Sequence, residues 1–415
     1  MKIFKLMAIA LVAMIGLNSC SEDCDHDFIE VDHSKDLVGT WTCMMAENDY
    51  SEALVINADG SVVSTGVENG EYWEDVKGNI KTINNKMIMT FEDDDNFEGR
   101  FEMLSGEAFT IFEENGESFT YRYCKEDLSE ENLGMWVNNG AANVDDMVIQ
   151  TYQADGKVIR TGFMPYINDN SLNHQTNYKV IGDLLFVNMP ADVLSGQESS
   201  WAVVRLTYQP NGSEVGDIMI QTGFSPSGDE YVERSSTWLR IKQHLELPGQ
   251  KYDYIKTFVT NVKGLDKDIE FMGTTFNFAK MDGVMMDKAL KAILFNVEFP
   301  DANTIKYSCY YNNQPMSMEA PIVVEGNKMT VKMSEKNPAL KDVDLYTFQD
   351  QDNTQMHMYM HSTGFVNFFG NMQVTIMEQL GQLDTTDEAA VKAVFDSIDD
   401  AVETINVSFV MTRAK

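Results

Sequence analysis

Basic residues are scarce in this 415-residue chain: 31 Lys and Arg stand against 65 Asp and Glu, a formal charge of −34. Nucleic-acid binding rests on cationic side chains that neutralise phosphate, and no basic cluster interrupts the acidic sequence, so DNA and RNA are excluded as partners. Histidine is also sparse, with six residues (His26, His33, His174, His244, His357 and His361) scattered along the chain. No Gly-x-Ser-x-Gly elbow, Cys/His pair or glycine-rich phosphate loop accompanies them, which removes the common nucleophilic and nucleotide-dependent chemistries. Carboxylates are too numerous for any pair to stand out as acid and base. These absences point to a non-enzyme with no cofactor. The five cysteines (Cys20, Cys24, Cys43, Cys124 and Cys309) show no CxxC or Cys/His spacing, so no metal site is expected. A single long apolar run occurs, and it lies at the N-terminus. The remainder, 43% hydrophobic and 11% aromatic, has the composition of a folded chain long enough for two or three domains.

Residues 1–19 carry two lysines (Lys2 and Lys5), an apolar stretch from Leu6 to Leu17, then Asn18, Ser19 and Cys20. The stretch is too short to span a bilayer and no stop-transfer pattern follows, which is the make-up of a signal peptide. Leu17-Asn18-Ser19-Cys20 resembles the bacterial lipobox, with Asn18 a departure from its small or aliphatic residues. The resemblance implies that Cys20 becomes the acylated first residue of the mature protein, anchoring it to a membrane. The acidic run behind it, Ser21-Glu22-Asp23-Cys24-Asp25-His26-Asp27, resembles the surface-export signal of lipoproteins in Bacteroidetes; a solvated tether over 20–35 is the plainer reading. Together these imply an outer-membrane protein exposed at the cell surface.

Internal repeats set the fold expectation. Leu37-Val38-Gly39-Thr40-Trp41 pairs with Leu133-Gly134-Met135-Trp136. Downstream of each tryptophan lies an Asp-Gly turn: Asp59-Gly60 continues to Ser64-Thr65-Gly66, and Asp155-Gly156 continues to Arg160-Thr161-Gly162. A second hairpin signal recurs at Asn84-Asn85 and Gly182-Asp183, and each unit closes on a strand with a basic end, Phe119–Lys125 and Ser236–Lys242. Such dipeptides between alternating apolar and polar runs mark β-hairpins. The units cover 36–126 and 131–243. Residues 250–415 read as a third, diverged copy without Gly-x-Trp, whose last strand again ends on basic residues, Arg413 and Lys415. Helices are expected as insertions there: one from a capping box with Thr385 as N-cap and Glu388 reaching back, carrying the stripe Val391, Phe395, Ile398; one near Met285; and one over Phe365 to Leu380, with Gly370 against it. The predicted class is mainly β, tandem antiparallel barrels or meanders, with an α+β C-terminal domain.

Gly-x-Trp at the start of a meander, with an arginine on its closing strand, resembles the lipocalin/calycin signature, and the whole chain resembles lipocalin-like lipoproteins of Bacteroidetes. The resemblance implies barrels in which Trp41 is covered by Arg122 and Trp136 by Arg240, an indole–guanidinium contact worth about 0.5–2 kcal/mol.

Met356-His357-Met358-Tyr359-Met360-His361 is the most unusual stretch. Period two puts Met356, Met358 and Met360 on one face and His357, Tyr359 and His361 on the other. Three readings stand: core with solvated histidines, a soft lining for a small hydrophobic ligand, or thioethers for copper(I). The acidic runs Glu92–Asn96 and Gln349–Asn353 lack a calcium-loop pattern and read as turns. Cys43 and Cys124 fall on the first and last strands of one unit, which suits either a disulfide or two free thiols. Tyr72-Trp73, Trp201 and Tyr310-Tyr311 are either sugar-stacking aromatics or packing. The function expected is a non-catalytic, lipid-anchored envelope protein that binds a hydrophobic molecule in its C-terminal barrel. The alternative is a structural module with filled barrels that docks a protein or glycan at the cell surface.

Overall fold

The computed structural model describes residues 32–414 apart from 47–49, 93–95, 139–146, 163–173, 190–198, 214–215, 228–229, 272–273, 281–293 and 312–313. Alternation of apolar and polar residues makes each strand two-faced, and eight such strands bury their inner faces by closing on themselves. This happens three times: the chain forms three closed eight-stranded antiparallel barrels. In the first, Gly39–Met45 (β1) pairs with the last strand, Ser118–Tyr123 (β8), to close the cylinder. In the second, Gly134–Asn138 (β9) meets Glu230–Ile241 (β16). In the third, Gln250–Gly264 (β17) meets Val402–Arg413 (β26). Closure removes the unpaired sheet edges that would otherwise invite aggregation.

The repeat is visible at atomic level. In the Asp-Gly turns, Gly60 (φ +85°) donates its N–H to Asn57 O at 3.0 Å, and Gly156 (φ +77°) donates to Gln153 O at 3.1 Å. Each glycine carbonyl then accepts from the third strand's neighbour, Ile80 N at 2.8 Å and Tyr178 N at 2.9 Å. The third barrel keeps the last of these bonds with Asn303, whose carbonyl accepts from Ile322 N at 2.7 Å.

The plug at one barrel end is also shared. Trp41 Nε1 donates to Leu37 O at 2.7 Å and Trp136 Nε1 to Asn132 O at 2.9 Å, both indoles being fully buried. Arg240 lies opposite Trp136 in the strand register, with its guanidinium 4.7 Å from the ring centre, as the resemblance implied. In the first barrel the residue opposite Trp41 is Tyr123, packed edge-on at 5.2 Å, whereas Arg122 is one register step away and exposed. The expected Arg122 contact is therefore corrected to Tyr123. Gly39 (φ +135°) is required there, because a Cβ would stand 2.5 Å from the Tyr123 ring. The third barrel has no Gly-x-Trp, yet Tyr252 occupies the plug position: it is fully buried, lies opposite Arg413, and its hydroxyl accepts Gln349 Nε2 at 2.7 Å.

Three described helices are inserted in the third barrel: Met333–Lys336 (α1), Ser362–Gln379 (α2) and Glu388–Asp399 (α3). The N-cap of α3 is Asp387, not Thr385; its carboxylate accepts Ala389 N and Ala390 N, both at 3.1 Å. The predicted stripe holds, with Val391, Phe395 and Ile398 buried. Gly370 does not break α2; it lets Phe395 of α3 approach, since a Cβ would meet that ring at 2.3 Å. The helix expected near Met285 lies outside the described residues.

Successive barrels meet through apolar outer faces. Ala53 and Val67 of the first pack with Leu184 and Phe186 of the second, flanked by Tyr72 stacked on Trp201 at 3.9 Å. Val137, Ile149, Leu239 and Ile241 of the second pack with Tyr346, Phe348 and Tyr359 of the third. A backbone bridge between Ile241 and Asp350 reinforces the second junction.

Candidate functional site

The three lumens differ in how their polar groups are satisfied. In the first barrel, Tyr50–Ile56 (β2) turns Glu52 inward, where it is buried. Its carboxylate accepts the hydroxyls of Tyr50 (2.7 Å), Ser64 and Tyr121, and Ser64 Oγ accepts Trp73 Nε1 at 2.8 Å. Burial first, and the Glu52 charge second, hold both tyrosine hydroxyls well above their ordinary pKa, so they remain donors. The same two causes push the Cys43 thiol up to about 12. Every donor and acceptor in this network has a partner within the barrel.

The third lumen holds the three methionines. Met356, Met358 and Met360 are buried and belong to one cluster with Phe365, Phe368 and Phe369 of α2. The opposite face is not solvated as the core reading had it. His357 is only 5% exposed, stacked on Phe348 at 4.5 Å beside Tyr359, on the face that meets the second barrel. Thioethers and the His357 imidazole thus lie on opposite sides of the sheet and cannot share a copper ion. Burial holds the His357 pKa down to about 3.

The second lumen contrasts with the first. Val148–Tyr152 (β10) presents Val148, Gln150 and Tyr152 inward, and Lys157–Gly162 (β11) presents Val158 and Arg160. Gln150 lies opposite Arg160, which lies opposite His174 of the next strand, His174–Ile181 (β12). Gln150, Tyr152 and Gln221 satisfy one another: Tyr152 OH donates to Gln150 Oε1 at 2.7 Å and Gln221 Nε2 reaches Tyr152 OH at 3.3 Å. Arg160 does not join them. It is half-buried, its Nε is shut off from solvent, and it makes no hydrogen bond or ion pair among the described residues. Burial lowers its pKa, with the nearby Tyr152 as the opposing influence. Thr176 of β12, buried and opposite Val158 on the same inner face, also has a hydroxyl with no partner among the described residues.

A cleft of about 410 Å³ opens where the second barrel leads into the third, lined by Gly134, Thr151, Ile241, Lys242, His244 and Glu246. Its charges answer each other: Lys242 Nζ stands 2.8 Å from Glu246 Oε2, which also accepts Asn353 Nδ2 at 2.7 Å.

The remaining predicted positions are dispersed. Cys43 and Cys124 are free thiols. Thr42 pairs with Arg122, while Cys124 N bonds Thr40 O, so the two cysteines are offset by three register steps, about 10 Å at strand rise. A disulfide needs Cα atoms within about 7 Å, and the free-thiol alternative is the one realised. Cys124 instead donates to Glu126 O at 3.0 Å. Tyr72 and Trp201 are taken up by the first inter-barrel contact and Trp73 by the first lumen, rather than forming a sugar platform. Cys20 and the acidic run behind it lie outside the described residues. Arg160, Thr176 and Glu52 were not singled out by motif. The aligned turn segments nevertheless carried the signal, since Arg160 stands where the first repeat has Ser64.

No protein-family profile matches this sequence, and no curated protein does. Among solved structures, the isotype 1 transferrin binding protein B from serogroup B Neisseria meningitidis is similar over 88% of this chain and 66% of its own, at 8% identity and a TM-score of 0.20. This chain spans just under two thirds of that protein. A likeness of this size carries no argument about fold or function, which rest on the strands and side chains described above.

Proposed function

We propose that this protein is a non-catalytic envelope lipoprotein, held to the outer membrane through Cys20 and displayed at the cell surface, where its barrels form a body for docking a partner. The observation that carries this reading is how the apolar surface is used. Helix α2 fills the third lumen, the first lumen is closed by its own Glu52 network, and the outer apolar faces join each barrel to the next. Side chains that fill small barrels leave a load-bearing scaffold rather than a channel or a reaction chamber. The methionine lining of the third barrel as a hydrophobic-ligand site stands behind this, because Met356, Met358 and Met360 already lie in one packed cluster with the helix side chains.

The test is metabolic labelling with radiolabelled palmitate in a bacterial host, followed by protease treatment of intact cells. Wild-type protein takes up label and is cut from outside; Cys20→Ala takes up none and leaves the membrane fraction. An unlabelled wild type overturns the anchor, and a labelled protein shielded from protease overturns the surface display.

A further inference from the structure

We infer that the lumen of the second barrel is a binding site for a small organic acid, whose carboxylate is held by Arg160 and the Thr176 hydroxyl. Two inward-facing donor groups at adjoining positions lack any partner among the described residues. The pairing Arg160–His174 and Val158–Thr176 puts them on neighbouring strands, two residues apart in register. A half-buried guanidinium without a counter-ion is costly, and a chain with 65 carboxylates has no shortage of counter-ions to offer. Among the described residues none is placed beside Arg160.

The first barrel shows what a self-sufficient version of this lumen looks like. Leu54 pairs with Ser64 there as Gln150 pairs with Arg160 here, and Glu52 pairs with Gly66 as Val148 pairs with Gly162. At matching positions the first barrel therefore has Glu52 and Ser64, bonded to each other, whereas the second has Val148 and Arg160. The sign of the lumen is reversed and the internal anion is gone. The planar fork of arginine matches a carboxylate with two parallel N–H donors, and Thr176 can add a third. Val148, Tyr152, Val158, Leu206 and Trp238 belong to the apolar cluster of the same lumen, and it is against these side chains that the acid's carbon skeleton would pack. The inference is independent of the lipid anchor and of surface display.

The experiment uses the chain without residues 1–20, delipidated by solvent extraction, with isothermal calorimetry against straight-chain carboxylates from acetate to octanoate and against inorganic phosphate and sulfate. The expected result is saturable carboxylate binding that strengthens with chain length and falls at least tenfold in Arg160→Met, with Arg160→Lys in between. Val148→Glu restores the internal anion of the first barrel and is expected to abolish binding while raising the melting temperature of the unliganded protein. Binding of phosphate or sulfate with no carboxylate binding overturns the organic-acid assignment. Absence of binding to all probes, or equal binding by wild type, Arg160→Met and Val148→Glu, overturns the site.

Discussion

At the residue scale the closing arginines separate two roles that look alike in sequence. Arg240 covers Trp136, donates to Glu131 O and has Asp217 Oδ2 3.7 Å from its Nε. Arg122 is exposed, and Tyr123 does the covering in its barrel. Arg240→Ala is therefore expected to destabilise the protein by about 1–2 kcal/mol, and Arg122→Ala to change stability by less than about 0.5 kcal/mol. Urea denaturation of the two variants measures the contrast; equal effects would show that register opposite the indole is immaterial. A one-residue slip reverses the face of a strand, which is why the motif placed the arginine correctly in one barrel and not in the other.

At the element scale the helices of the third barrel depend on close approach and capping. Asp387 satisfies two of the orphan N–H groups of α3, while Thr385 Oγ1 donates to Glu378 Oε1 at 2.6 Å near the end of α2. Asp387→Ala is expected to cost about 1 kcal/mol and Thr385→Ala less than half of that, read as a shift in melting temperature. The capping box was legible as a start signal, but Ser, Thr and Asp compete for the N-cap. The tight turn at Asp384, whose carboxylate accepts Thr386 N at 2.9 Å, moves the start of the helix beyond Thr385. Gly370 read as a weak point because helix propensity is a local quantity, whereas its use here is a contact with a ring 25 positions away.

At the scale of the whole molecule, the second junction is sensitive to acid. His357 titrates near 6.5 when unfolded and at about 3 when folded, so the fold favours the neutral ring. The stability it contributes is fully present above pH 6.5 and is lost as pH falls from there toward 3. About 2 kcal/mol of that loss is expected between pH 7 and pH 5. Denaturation curves at the two pH values, compared with His357→Phe, isolate the effect: the variant keeps the stacking area on Phe348 and loses the proton site. An unchanged slope in the variant would remove His357 from the acid response. Asp350, at the same junction, has its carboxyl pushed up by burial and favours the opposite trend, so only the difference between variant and wild type reports on the histidine.

By itself the sequence determined the β class, the repeat, the hairpin turns and the order of the strands. All of these depend on neighbours a few residues apart: Asp59-Gly60 and Asp155-Gly156 need only a left-handed glycine, and alternation needs only the strand period. Only the tertiary structure decided which residue stands over each plug, that Tyr252 replaces the third tryptophan, and that His357 faces another barrel instead of water. Closure into a cylinder brings residues about a hundred positions apart into one row, and register across that seam is set by the full ring of hydrogen bonds. The same closure leaves Arg160 and Thr176 facing a shared interior without partners among the described residues, a relation between strands that no local pattern can carry.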